Sequence, residues 1–182
     1  MSGLEGITRI KGPTIRLVSG RYFDFEDPEA SDFGISDIAH GLSHLCRFTG
    51  HTVRFYSVAE HSVHCSHLVP PGDALSALLH DAPEAFLGDV SRPLKSLLPD
   101  YRAIERRVER AILPRFGIGI LPPSVKVADM QMLRAEQVQA MRSSEQWTDL
   151  EGVNMPEVQL RFWDPVDARI AFLDRFAELI RA

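Results

Sequence analysis

The sequence predicts an all-α protein, a helical bundle with a small β-hairpin near its N-terminus. Three observations lead there. Residues 14–25 alternate like two short strands around a glycine turn. From Asp32 onward, apolar residues recur at helical spacing. Several of those stretches open on residues that cap helices. Taken in order, Thr14-Ile15-Arg16-Leu17-Val18 and Arg21-Tyr22-Phe23-Asp24-Phe25 flank Ser19-Gly20. One hairpin is too little for a β domain, and residues 26–31 read as loop. Ile35, Ile38, Ala39, Leu42 and Leu45 predict a helix over 36–47. Ser57-Val58-Ala59-Glu60 forms a capping box, in which the serine accepts from an early amide and the glutamate reaches back. The helix it opens must stop at Pro70-Pro71-Gly72. Asp73 is placed to cap the next helix, running through Leu75, Leu78 and Leu79 towards Gly88 and kinked by Pro83. Asp100 precedes a periodic helix over 101–116. Ser124 is placed to cap another, running through Asp129 to about Met141. Asp164-Pro165, an N-cap with proline at the first helical position, starts the last helix. Residues 143–163, with scattered polar side chains, read mostly as loop. The chain is expected to be one domain over 1–182, with hairpin and loop over 1–31 and helices over 32–182.

Composition narrows the function classes. The chain has 182 residues, 45% hydrophobic and 25% charged, with a mean hydropathy of −0.09. These values exclude a disordered chain, a collagen-like repeat and a coiled coil. No run approaches the roughly 18 apolar residues of a membrane span. Met1-Ser2-Gly3-Leu4-Glu5 lacks the basic-then-apolar pattern of a signal peptide. Two cysteines, Cys46 and Cys65, are too few for a disulfide framework, so a cytoplasmic location is expected. A net charge of −5 does not suit a nucleic-acid backbone, yet allows a small anionic substrate in a local basic pocket, and neither nucleic acid nor membrane is expected as a partner.

Chemistry concentrates between residues 40 and 130. Six of the seven histidines fall between positions 40 and 67, and the seventh is His80. His80-Asp81 follows the apolar run Ala77-Leu78-Leu79. Glu84 lies four residues after His80, Asp89 follows Gly88, and Lys95 stands two residues beyond Pro93. His61 sits at the start of the capped helix, and Asp129 in a later one. Two histidines and two aspartates suit a divalent transition ion such as zinc, cobalt, manganese or iron. Such an ion acidifies water and polarises a phosphoryl oxygen. Glu84 could then orient or deprotonate that water, while Lys95 and an arginine offset phosphate charge. Singly, each residue also fits an ordinary role: His61 as a capping-turn surface histidine, Asp129 as a first-turn dipole partner, Lys95 as a solvated loop lysine. His40, His44, His51, His64 and His67 read as core or surface histidines, and Cys46 and Cys65 as small buried hydrophobes.

The order of these residues distinguishes the set. Glu60-His61-Ser62, Leu79-His80-Asp81-Ala82-Pro83-Glu84-Ala85, Gly88-Asp89-Val90-Ser91-Arg92-Pro93-Leu94-Lys95 and Val127-Ala128-Asp129 resemble the HD-domain phosphohydrolase superfamily. Within it the chain is similar to bacterial 5′-deoxynucleotidases and to phage deoxynucleotide (dATP-preferring) triphosphohydrolases, over roughly residues 36–140. The resemblance implies metal ligands at His61, His80, Asp81 and Asp129, a catalytic acidic residue at Glu84 and a phosphate-facing lysine at Lys95. It further implies that Asp89 contacts the deoxyribose 3′-hydroxyl and that Arg47 lies at the nucleotide site. Phe48 stands where the bacterial nucleotidases carry a tryptophan, a departure that bears on sugar and base selectivity. The resemblance also implies an all-α fold and self-association, as a dimer or hexamer.

The expected activity is metal-dependent hydrolysis of 5′-deoxynucleotides, with a zinc, cobalt or manganese cofactor. Attack at the phosphorus next to the 5′ oxygen gives phosphate from a monophosphate and triphosphate from a dNTP. Two alternatives stand beside it: an HD hydrolase of another nucleotide, such as an alarmone, and a non-catalytic nucleotide-sensing module. A third carboxylate in direct contact would over-neutralise the ion, so Glu84 is expected to act on the water rather than as a ligand.

Overall fold

A computed structural model describes residues 12–181; the expectation drawn from the first five residues lies outside them. Strand β1 (Thr14–Arg16) pairs antiparallel with β2 (Tyr22–Asp24), Ile15 opposite Phe23. Helices follow: α1 (Ile35–His44), α2 (Val58–His67), α3 (Ala74–Leu79), α4 (Glu84–Leu87), α5 (Arg92–Lys95), α6 (Pro99–Ile112), α7 (Pro123–Gln139) and α8 (Pro165–Leu179). The protein is mostly helical with one small hairpin, as the patterning predicts. Among the described residues, no helix is long and apolar enough to cross a membrane.

Several element ends differ from expectation, each for a local reason. Helix α1 stops at His44 because the following backbone pairs with residues 56–58: Arg47 N donates to Tyr56 O and Val58 N to Leu45 O, at 2.9 and 3.0 Å. The expected single helix from Asp73 to Gly88 is two. Pro83 has no N–H and its ring conflicts with the carbonyl of Leu79, so residues 80–83 turn through shorter-range bonds before α4 starts at Glu84. Neither Asp73 nor Ser124 caps a helix. The Ser124 hydroxyl instead donates to Asp73 Oδ2, joining the starts of α3 and α7. Asp100 sits inside the first turn of α6, which opens on Pro99. Asp164 does cap α8, accepting from Val166 N and Asp167 N.

The capping box at Ser57 is half formed. Ser57 Oγ accepts from Glu60 N at 3.1 Å, but the Glu60 carboxylate turns away from its own helix. It accepts from the backbone amides of Arg161, Phe162 and Trp163 at 2.6–2.9 Å. The stretch 143–163 is irregular, as expected, apart from a 3₁₀ turn at Thr148–Leu150. Side chains hold it in place: Gln137 Nε2 donates to Glu145 O and Gln139 Nε2 to Val158 O.

Helix α1 packs on α2, α4 and α8, and α2 in turn on α3, α7 and α8. The hairpin docks through Phe23, which is fully buried and stacked on Phe86 of α4 with ring centroids 4.1 Å apart. On its other side α4 meets α1 at Gly41. A Cβ there would lie 2.8 Å from Ala85 O and 2.9 Å from Ala85 Cβ. The position of α4, and of Glu84 at its start, therefore depends on a residue without a side chain. Gly41→Ala should destabilise the protein. Overpacking costs about 1–3 kcal/mol, against which the better helix propensity of alanine offsets only about 1 kcal/mol. A urea titration should show a lower midpoint at unchanged slope.

Candidate metal centre and adjoining cavity

Helix α2 carries His61 into the interior, where its side chain has no solvent contact. Its Nδ1 donates to Glu136 Oε1 at 2.6 Å, so the ring presents Nε2 to the centre. Around that nitrogen lie Cys65 Sγ at 3.4 Å, Asp129 Oδ1 at 3.5 Å and Asp81 Oδ2 at 3.7 Å. His80 arrives from the turn after α3. Its Nδ1 donates to Ala77 O at 2.8 Å, leaving Nε2 directed inward, 3.3 Å from Asp81 Oδ2. The fold thus brings His61, His80, Asp81 and Asp129 together.

Two roles open in the sequence are closed by the structure. His61 is no surface histidine. Asp129 is no first-turn residue, since α7 begins at Pro123 and places it in the second turn. Cys65 is buried, as expected of a small hydrophobe, yet its sulfur touches the imidazole of His61. His64 remains apart, stacked on Trp163 and 3.5 Å from Glu60.

The spacings suit an ion. Ligand bonds of about 2.0–2.2 Å at tetrahedral angles separate neighbouring ligand atoms by about 3.4 Å. Two further features agree. His80 Nε2 is buried without a hydrogen-bond partner among the described residues, which calls for an explanation. The second is the gathering of acidic groups around one imidazole. Burial and Arg47 push His61 down, but Cys65, Glu136 and Asp129 outweigh them and hold it well above the usual histidine range. Burial raises Asp129, and its bond to His61 with the charges of His61 and His80 outweighs this, holding the carboxyl far below the usual range.

Glu136 is the residue sequence reasoning missed. It is fully buried and accepts from His61, from the Tyr56 hydroxyl at 3.0 Å and from Arg47 Nη2 at 3.0 Å. A signal existed: Glu136 follows Asp129 by seven residues, two turns further along one face of α7. Such a carboxylate fixes both the tautomer and the orientation of a ligating histidine. Arg47 is accordingly tied into the centre, its Nη1 also 3.7 Å from Asp81 Oδ2.

Glu84 lies beside the cluster, with Oε2 buried and unpartnered among the described residues. Burial first, then Asp81 and Asp89, pushes its carboxyl well above the usual range, against Arg47 and Lys95. Lys95 belongs to the short helix α5 rather than to a loop. Its Nζ lies 2.6 Å from Glu105 and 3.6 Å from Glu84.

Next to these groups is a cavity of about 780 Å³ lined by residues including Arg47, Phe48, Asp89, Arg92, Leu133 and Trp147, a size that suits a small ligand. Gly88, at φ 80°, ends α4 and releases Asp89 towards it. Phe48 and Thr49 both adopt left-handed backbone at φ 55°, a conformation costing roughly 1–2 kcal/mol per residue and found where function fixes a side chain. Trp147 faces Phe48 with ring centroids 6.3 Å apart, so the irregular stretch supplies a large ring opposite the smaller one. Arg92 and Asp149, 2.8 Å apart, link the two sides of the rim.

Fold and site define the class: a small helical protein built around a buried histidine–carboxylate–thiol cluster beside an open cavity. The chain belongs to the family of the uncharacterized protein YfdR of Escherichia coli (strain K12). The two are 39% identical over 168 residues, covering 91% of this chain and 94% of YfdR. The uncharacterized protein RCAP_rcc00048 of Rhodobacter capsulatus is 36% identical over 187 residues, covering 92% of this chain and 95% of its own length. No family profile matches the chain.

Two outcomes follow from the geometry. If the cluster holds a divalent metal, Glu136→Gln should lower the affinity for it by about 10–100-fold, read by competition with a chelator. Glu84→Gln should stabilise the chelator-treated protein. The raised carboxyl keeps its proton in the folded chain at a pH where the unfolded chain has lost it, so wild-type stability falls as pH rises from the ordinary glutamate range to the raised folded value. Melting temperatures across pH should converge at the acid end and favour the variant above that window.

Proposed function

We propose that the protein is a cytoplasmic, metal-dependent phosphohydrolase of the HD-domain type acting on 5′-deoxynucleotides. The observation that carries this reading is the convergence of His61, His80, Asp81 and Asp129, with contacts of 3.3–3.7 Å among their donor atoms, next to Glu84 and the cavity. A divalent ion held by those four residues would acidify water and polarise a phosphoryl oxygen.

The chain's own residues do the rest. Glu84, whose carboxyl burial and Asp81 push above the usual range, orients the attacking water and takes its proton. Lys95, 3.6 Å from Glu84, neutralises phosphate charge and keeps the glutamate in place. Arg47 adds a second cation where the cavity meets the cluster. Asp89, at the cavity wall, accepts a hydrogen bond from the sugar 3′-hydroxyl. Phe48 and Trp147 flank the base. Cleavage of the bond between the 5′ oxygen and phosphorus releases the deoxynucleoside. The cations at the site, Arg47, Lys95 and Arg92, favour acceptance of a triphosphate, with the monophosphate close behind.

A panel of dNMPs and dNTPs with Co²⁺, Mn²⁺ and Zn²⁺, with the phosphate product identified, tests the reading. Deoxynucleoside plus phosphate or triphosphate is the expected result. Absence of hydrolysis with every metal, or a clear preference for ribonucleotides, would overturn it. Asp81→Ala and His80→Ala should each lose bound metal and nearly all activity while helix content stays. Glu84→Ala should keep its metal while kcat falls by about 10²–10⁴-fold; loss of metal in that variant would make Glu84 a ligand.

A further inference from the structure

We propose that Cys65 is itself a metal ligand, and that its thiolate biases the centre towards zinc and cobalt and away from manganese. This rests on the reading of the cluster as a metal centre and deepens it by naming the class of metal.

The placement is specific. Cys65 stands one turn after His61 on α2, so both side chains leave the same helix face. Its sulfur lies 3.4 Å from His61 Nε2, the ring nitrogen left facing inward once Nδ1 is engaged by Glu136. Bonds of about 2.3 Å for sulfur and 2.0 Å for nitrogen let one ion reach both donors at any separation up to about 4.3 Å, and 3.4 Å lies within that reach. The Cys65 sulfur and one ring nitrogen each from His61 and His80 all lie within 4.8 Å of one another. His80 supplies an independent pointer. Its side chain is 8% exposed, its Nδ1 is occupied by Ala77 O, and Nε2 has no hydrogen-bond partner among the described residues. An inward-facing imidazole nitrogen that makes no hydrogen bond, with the Asp81 carboxylate 3.3 Å away, is suited to donate to a cation shared with that carboxylate.

Charge does not forbid a third anionic ligand here. Asp81, Asp129, Cys65 as thiolate and the buried Glu136 bring four negative charges. A divalent ion, Arg47 beside Asp81 and Glu136, and Lys126 at 2.7 Å from Asp129 bring four positive ones. On binding, the sulfur lone pair forms the bond to the metal and the thiol proton passes to solvent. Thiolate is a soft donor, suited to zinc and cobalt, whereas manganese prefers oxygen.

Cobalt loading of the purified full chain reads this directly. The wild type should show the intense near-ultraviolet thiolate-to-cobalt charge-transfer band together with visible ligand-field bands. Cys65→Ser should lose the charge-transfer band and keep the ligand-field bands, while Cys46→Ser, altering the other cysteine, should keep both. X-ray absorption at the zinc edge of the wild type should show one sulfur neighbour at about 2.3 Å, a measurement that holds even if Cys65→Ser fails to fold. Cobalt bound with ligand-field bands alone, or zinc with only nitrogen and oxygen neighbours, overturns the role of Cys65 and leaves the four-residue centre standing. No bound cobalt or zinc overturns both.

Discussion

A carboxylate without solvent contact has to be met by donors on every side, and Glu136 is met by three. Its partners come from three parts of the chain: Arg47 from the turn after α1, Tyr56 from the strand-like stretch before α2, and His61 from α2 itself. Removing Arg47 would leave a buried charge unbalanced, which costs several kcal/mol, and removing the Tyr56 hydroxyl would leave a buried carboxylate oxygen short of a donor. Burial alone would raise this carboxyl, yet Arg47 and His61 hold it below the usual range. It stays ionised, and because it does, the imidazole of His61 keeps one orientation. The distances from Cys65, Asp81 and Asp129 to His61 Nε2 are measured to a ring that Glu136 holds still.

The remaining scaffold places what Glu136 does not touch. Phe23 and Phe33 press on Phe86, and Gly41 lets Ala85 approach α1, so the helix that begins with Glu84 is held from two sides. The break at residues 80–83 is equally useful. A continuous helix would commit the backbone around His80 and Asp81 to regular ladder bonds, whereas the turn directs His80 Nε2 and the Asp81 carboxylate to the same point. Pro83 enforces that turn through its missing N–H.

Much of this was legible from local patterns. The hairpin and the Asp164 cap follow from alternation and capping, whereas the grouping of His61, His80, Asp81 and Asp129 comes from the ordered resemblance to a known family. What escaped is set by long-range contact. Glu60 has the spacing of a capping box, but three backbone amides more than a hundred positions away bind it more completely than one amide on its own helix could. Ser124 and Asp73 each look like caps, and their proximity makes them partners instead. Trp147 lies in a stretch without periodicity, so nothing local places its ring opposite Phe48. Cys65 reads as a small apolar residue until the direction of the His61 ring is known.

The contacts that assemble the centre are long in sequence as well as short in space. His61 and Glu136 are 75 residues apart, Arg47 and Glu136 89, Glu60 and Trp163 103. Closing such loops carries an entropy penalty that is offset only when the contact forms, so structures of this kind come together late in folding. Individual helical turns and the hairpin, with their near-neighbour bonds, have no such delay. A partly folded chain can therefore hold most of its helix while His61, Arg47 and Glu136 remain scattered, and the assembled cluster becomes a marker of completed folding rather than of secondary structure.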